Sequence, residues 1–126
     1  MNRTLRSNLP DYEVNRIREI VTIMLPEVAN EYQITAESLK DDRHRTVATQ
    51  ARRMLWFVVF DNLDLAYEEV AKIMKPIFPS ANRPNVNTAI YYVRKQTMID
   101  DDVELLWDKV QAIYMKAKRS LKPTEA

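Results

Sequence analysis

The chain has 126 residues, 46% of them hydrophobic and 29% charged, a composition typical of one folded domain. It contains no glycine, which excludes the glycine-rich phosphate-binding loops of nucleotide-hydrolysing and dinucleotide-binding proteins. It contains no cysteine, which excludes disulfides and thiolate metal sites and fits a cytoplasmic location. The net charge of +1 gives no global argument for a nucleic-acid partner.

No stretch of the sequence predicts a membrane partner. The longest unbroken apolar run, from Met54 to Phe60, is far too short to span a bilayer, and the N-terminal residues lack a signal-peptide core. Glycine is the usual residue of tight hairpins, and no two-residue alternation runs through the chain. The sequence therefore predicts an all-α, single-domain bundle of five to six helices.

The first elements follow from helix-starting signals. Residues 1–9 have no helical period and predict a flexible N-terminus, and residues 122–126 predict a flexible tail around a helical domain over residues 10–121. Pro10 and Asp11 suit the first turn of a helix, which we expect Pro26 to kink or split. Thr35 is expected to cap a short helix that ends at about Leu39.

The next predicted helix runs from about Val47 to Leu63. Its centre, Met54 to Phe60, is apolar on all sides, which predicts the buried centre of the bundle. Its first turns carry the polar side chains of Gln50, Arg52 and Arg53 instead. Asp64 is then expected to cap a helix from Leu65 to about Met74, and Asp100 to cap a last helix that ends at about Leu121.

Between these last two lies a predicted helix from Asn85, as its cap, to about Met98, and it has two distinct faces. One face is apolar, with Val86, Ala89, Ile90, Val93 and Thr97. The opposite face carries amide, hydroxyl, phenol and cationic groups but no carboxylate, with Asn87, Thr88, Tyr91, Arg94 and Lys95. Such a face suits base edges and phosphates.

Basic residues are concentrated in the middle of the chain. Between Arg43 and Lys95 there are nine basic and four acidic residues, a net charge of +5 inside a nearly neutral chain. The helices Leu65–Met74 and Asn85–Met98 then have the outline of a helix-turn-helix. In this reading Asn87 would pair with adenine, Val86 would touch a thymine methyl, and Thr88 would bond a base or a phosphate. Arg94 and Lys95 would reach phosphates.

The order of these pieces resembles the C-terminal DNA-binding domain of the bacterial replication initiator DnaA, a helical fold similar to that of the Trp repressor. The residues that carry the resemblance are Arg43-His44-Arg45-Thr46-Val47, Arg52-Arg53, Leu65-Ala66-Tyr67-Glu68-Glu69-Val70-Ala71, Asn87-Thr88 and Arg94-Lys95. That family has a basic loop, an Arg-Gln pair on a long helix, a Ser-Leu-Pro-Glu-Ile-Gly helix and an Asp-His-Thr-Thr recognition turn followed by Arg-Lys. The resemblance extends from about Ile17 to Leu121.

The resemblance implies a role for each matching position. Arg43 or Arg45 would enter the minor groove, Arg52 would contact phosphate, and Arg53, which replaces the family's glutamine, would help to discriminate bases. Of the recognition turn only Thr88 is retained, and the family's glycines are replaced by a longer connection with prolines, so a different target sequence is expected. The predicted DNA-binding residues are Arg43, Arg45, Arg52, Arg53, Val86, Asn87, Thr88, Tyr91, Arg94 and Lys95.

The resemblance implies a role in DNA replication or transcription control, and the lack of the initiator's nucleotide-binding module suits a mobile element. The alternative is a protein-interaction module that kept the bundle, lost DNA binding and docks an acidic replication or transcription protein. An enzyme is not expected, because no nucleophile–base pair or acid pair can be placed in a pocket. No cofactor or metal is expected either, since His44 stands alone and the acids from Asp100 to Glu104 suit a first helical turn.

Overall fold

The computed structural model describes residues 4–41 and 46–121, which form six α-helices and contain no strand. In chain order the helices are α1 (Asp11–Glu31), α2 (Ala36–Lys40), α3 (Thr46–Leu63), α4 (Tyr67–Met74), α5 (Arg83–Ile99) and α6 (Asp101–Ser120). The prediction of an all-α single-domain bundle is confirmed. None of the helices in the described ranges is long and apolar enough to cross a membrane.

Helix α3 lies at the centre of the bundle. Every residue from Met54 to Phe60 is buried, and α3 packs against each of the other five helices. Because this run has no polar side, neighbours must cover it on all sides, and burial of each large side chain contributes roughly 1.5–3 kcal/mol. The predicted centre of the bundle is confirmed.

Helices α1 and α6 are the two longest, and they pack along each other as well as against α3. The split expected at Pro26 does not occur, since α1 continues from Asp11 to Glu31. Pro26 is exposed, whereas Val28 and Ala29 behind it are buried. The packing of the last turns therefore offsets the backbone hydrogen bond that the proline ring removes.

Two of the three predicted aspartate and threonine caps are confirmed. The Thr35 hydroxyl accepts a hydrogen bond from the Ser38 amide at 3.0 Å, and the Asp100 carboxylate accepts one from the Asp102 amide at 2.9 Å. The Asp64 cap is wrong, because α4 begins only at Tyr67, after Ala66.

The segment before α4 is held by the N-terminal part of the chain. The Arg6 amide donates to the Asp64 carbonyl oxygen at 2.7 Å, and the Ala66 amide donates to the Arg6 carbonyl oxygen at 2.8 Å. This pairing keeps Leu65 extended, so the helix cannot begin at Asp64. Leu9, within the N-terminal segment expected to be flexible, is also buried. The tail predicted for residues 122–126 lies outside the described residues.

Residues 75–82 connect α4 to α5, and this connection is anchored in the core. The Phe78 side chain is fully buried and meets the Trp56 ring edge-on, with 5.8 Å between ring centroids. Ala81 is buried as well, and the Lys75 ammonium group donates to the Pro79 carbonyl oxygen at 2.6 Å. The connection is longer than the three or four residues usual between the helices of a helix-turn-helix, but Phe78 and Ala81 attach it to the core.

Candidate functional site

Helix α5 begins two residues before the predicted cap. Asn82 is the cap, and its side-chain oxygen accepts a hydrogen bond from the Asn85 amide at 2.9 Å. Asn85 lies inside the first turn, where its side-chain amide donates to the Ser80 carbonyl oxygen at 2.7 Å. The prediction that Asn85 caps the helix is wrong, and Asn87 therefore lies in the second turn.

The two faces of α5 are arranged as predicted. Val86, Ala89, Ile90 and Val93 are buried against α3, α4 and α6, whereas Thr97 is half-buried. The polar residues Asn87, Thr88, Tyr91, Arg94 and Lys95 are all exposed. Since Val86 is a core side chain, the contact with a thymine methyl that the sequence predicted for it has no accessible surface to form.

Arg52 is also unsuited to the phosphate contact predicted for it. The residue is 5% exposed, and its Nε donates to the Leu39 carbonyl oxygen at 3.1 Å while Nη2 donates to the Asp41 carbonyl oxygen. The guanidinium therefore joins the C-terminal end of α2 to α3. Its cationic group satisfies carbonyls that the end of a helix leaves without partners.

Its neighbour Arg53 faces α5 and is half-buried. The guanidinium lies over the Tyr92 ring, 5.2 Å from the centroid. Arg53 also lines a depression of about 130 Å³ between α3 and α5, together with Thr49, Asn85 and Thr88. The structure thus brings the first turns of α3 and of α5 into one continuous surface.

The two predicted cations of α5 contact aromatic rings. The Arg94 guanidinium lies 5.3 Å from the Phe60 centroid and 6.0 Å from that of Phe57, and the Lys95 ammonium lies 5.9 Å from the Tyr91 centroid. Within residues 4–41 and 46–121, neither these two cations nor Arg53 forms an ion pair with a carboxylate. Their charges are therefore oriented by ring contacts and not neutralised.

Tyr91 and Tyr92 form an exposed aromatic pair next to these cations. Their rings meet edge-on with centroids 5.5 Å apart, and the side chains are more than 40% exposed. The rings of this surface pair are also the ones that Arg53 and Lys95 contact.

A larger cleft of about 420 Å³ adjoins this surface, and no pattern in the sequence predicted it. Tyr32, Arg53, Tyr92 and Gln96 line it, and its far wall carries the carboxylates that start α6. Burial, with a smaller contribution from the charge of Glu31, raises the pKa of Tyr32. Because Asp100 and Asp102 lie in its wall, the cleft marks the edge of the carboxylate-free surface.

The structure thus brings six of the ten predicted residues together: Arg53, Asn87, Thr88, Tyr91, Arg94 and Lys95. Arg52 and Val86 are buried in the fold, and the loop arginines Arg43 and Arg45 lie outside the described residues. Thr49 and Gln50 belong to the same surface, and the sequence analysis did not assign a role to Thr49. Its helical spacing from Arg53 could have identified it.

The adjacent arginines of α3 predict opposite results in a stability experiment. Replacing Arg52 with alanine leaves the carbonyls of Leu39 and Asp41 without their cationic donor, so we expect a loss of about 2 kcal/mol in the free energy of unfolding. Arg53→Ala loses only a ring contact at the surface and should cost less than about 1 kcal/mol. Urea denaturation of both variants measures this, and an equal or larger loss for Arg53→Ala would contradict the assignment.

Comparison with known proteins gives no relative from which a function could be transferred. No family model matches the sequence, and no curated protein or solved structure is similar to it.

Proposed function

We propose that this domain binds double-stranded DNA through the outer face of α5 and the exposed first turns of α3. The observation that carries the proposal is the absence of acidic residues from these two segments, together with cations that pair with no carboxylate of residues 4–41 and 46–121. Residues 83–99 contain no aspartate or glutamate, and neither do residues 46–60. Because the DNA backbone is a dense array of negative charges, a surface with unneutralised cations and no carboxylate is electrostatically matched to it.

The spacing along α5 fits a helix in the major groove. Asn87, Tyr91 and Lys95 follow one another at four-residue intervals on the exposed face, so they form a row roughly 12 Å long. The major groove is about 12 Å wide and admits an α-helix. In this arrangement the Asn87 amide is placed to pair with an adenine, and the Lys95 ammonium is placed to reach a phosphate at the other end of the row.

Residues on either side of this row would position the helix. Arg94 and Arg53 lie on its two flanks, each against an aromatic ring, and Thr88 faces the depression between α3 and α5. A planar guanidinium held against a ring loses less freedom when it binds a phosphate. These side chains would fix the register on the backbone, while Asn87 reads the base edge.

Helix α4 would act as the first helix of a helix-turn-helix, with α5 as the second. The two helices pack directly on each other, and Phe78 anchors the connection between them. The resemblance to the DNA-binding domain of the initiator DnaA supports the same pairing and a role in replication or transcription control. Since that family's recognition turn is largely replaced here, with only Thr88 kept, we propose a different target sequence.

A second function, docking of an acidic protein partner, is favoured by one observation, the exposed pair Tyr91 and Tyr92. Tyrosine and arginine are enriched at the centres of protein interfaces, and both occur on this surface. The same cations would then face the partner's carboxylates. Competition separates the two functions, because a protein that docks here without a DNA role would bind its partner unchanged in the presence of excess duplex.

Duplex binding across a salt series tests the proposed function. We expect affinity for short random duplexes at low salt, with a steep fall as salt rises, because counterions are released from the phosphates. Lys95→Ala should reduce the slope of log affinity against log salt by about one. The control Lys109→Ala, a cation already paired with Glu31 at 3.6 Å, should leave it unchanged. No affinity at low salt, or affinity independent of salt, would refute DNA binding.

Asn87 should determine part of the sequence preference. On the preferred site, selected from a random duplex pool, Asn87→Ala should cost roughly 1–3 kcal/mol of binding free energy while leaving nonspecific duplex affinity intact. The matched control is Asn15→Ala, an exposed asparagine of α1 that should have no effect on either duplex. If Asn87→Ala keeps the full preference of the unmodified chain, this residue does not read a base.

A further inference from the structure

The outer side of α6 carries a row of exposed residues that no other helix covers. Buried residues such as Val110 and Tyr114 face α1, α3 and α5, and the opposite side faces solvent along the whole helix. This row, called here the α6 ridge, consists of Asp101, Leu105, Asp108, Ala112, Met115 and Arg119. Its spacing alternates between four and three residues, which is the spacing of a helix that packs along another helix.

The α6 ridge exposes apolar side chains at three of its four middle positions, and Asp108 occupies the fourth. Leu105 is 54% exposed and Met115 is 39% exposed, with the small side chain of Ala112 between them. These positions correspond to the contact positions of a two-helix seam, and the buried side of α6 corresponds to the positions farthest from such a seam. The ridge is thus oriented so that a second helix could lie on it without disturbing the bundle.

Charge is distributed unequally along the same helix. The first turns hold Asp101, Asp102, Glu104 and Asp108, and the last turns hold cations at positions 116, 118 and 119. The helix dipole explains acids in a first turn and bases in a last turn, but Asp108 lies beyond the range of that effect. A helix that is acidic at one end and basic at the other is complementary to its own reversed copy.

We propose that the α6 ridge is a homodimerisation surface, occupied by the α6 ridge of a second copy of this chain in antiparallel orientation. Contact positions that follow a four-residue step alternate along each ridge with positions that follow a three-residue step. In an antiparallel pair each kind of position meets the other kind, and this fixes the register. Leu105 then meets the partner's Met115, and Asp108 meets the partner's Ala112. Asp101 meets the partner's Arg119, and two-fold symmetry repeats each contact.

The residues beside the ridge support the same register. Asp102 lies against the partner's Lys116, and Glu104 lies against the partner's Lys118, whereas Asp108 has no charged partner in this register. Lys116 also pairs with Glu27 of its own chain at 2.9 Å, so its contact with Asp102 adds to an existing ion pair. One like-charge approach remains, between Lys109 and the partner's Lys109, and the ion pair of each lysine with Glu31 at 3.6 Å offsets it. A parallel arrangement would instead place acids against acids and cations against cations.

We expect a second copy of this chain on the ridge, because the α6 ridge is complementary to itself. An isologous contact needs a surface that matches itself after a two-fold rotation, and the α6 ridge matches in apolar size and in charge. The inference does not depend on DNA binding, since no residue of the ridge belongs to the surface of α5 and α3.

Sedimentation equilibrium of the full chain over a range of concentrations tests the proposal. The unmodified chain should dimerise reversibly, and Arg119→Glu should weaken the dimer about ten-fold, because two symmetry-related ion pairs become repulsive. Asp101→Arg should weaken it similarly. The double variant Asp101→Arg with Arg119→Glu restores both pairs and should recover the affinity of the unmodified chain. Lys72→Glu is the matched control, because α4 does not contact α6 in the described structure.

Recovery by the double variant is the decisive result, since a loss of folding could not be repaired in this way. Circular dichroism of each variant checks that the helices are retained. A chain that stays monomeric up to about 1 mM would overturn the proposal, because its association would be weaker than about 4 kcal/mol. A dimer that is insensitive to both single α6 variants would overturn it as well, by placing the interface elsewhere.

Discussion

The fold depends on the burial of the central part of α3, which has no polar side. From Met54 to Phe60, α3 presents only apolar groups, so the chain must place other helices around it in every direction. The only part of α3 with an exposed polar side is its first turns, where α5 covers one flank and leaves Arg53 at the surface. The position of the proposed DNA surface is therefore a consequence of how the core is closed.

The two faces of α5 have different roles, one in packing the core and the other in the proposed DNA binding. Val86 and Ile90 close the core, whereas Asn87, Tyr91 and Lys95 make no contribution to it. The cations of this surface contact aromatic rings, which orient the charges without neutralising them. Arg83 shows the contrast at the edge of the surface, where it lies 3.4 Å from the Glu68 carboxylate. A partner with phosphates would meet charges that are already oriented.

The sequence predicted the positions of the helices well, from apolar residues in the long helices and from the Thr35 cap in the short α2, and it predicted the helix ends less well. The start of α5 could have been read from Asn82 and Pro84, a cap residue two positions before a proline, which is a usual helix-start pattern. The failure of the Asp64 cap could not have been read locally, since it depends on pairing with Arg6. Local sequence does not reveal a contact with residues so far away in the chain.

The sequence predicted most residues of the candidate site, but Arg52 and Val86 are buried in the fold. Arg52 and Arg53 are the same residue type with the same charge, and only the helical spacing of Arg52 with Ala48 and Leu55 separates the buried arginine from the half-buried one. Six of the ten predicted residues form one surface because a single amphipathic helix carries five of them. The long connection before α5 did not displace this surface, because Phe78 holds it to the core.

DNA binding through α5 and α3 can be tested by mapping backbone amide shifts on an isotope-labelled chain during titration with a short duplex. We expect salt-sensitive shifts between Asn87 and Lys95 and around Thr49 to Arg53, with the exposed side of α1 unaffected. Shifts that are absent at low salt, or that fall on α1 and not on α5, would contradict it.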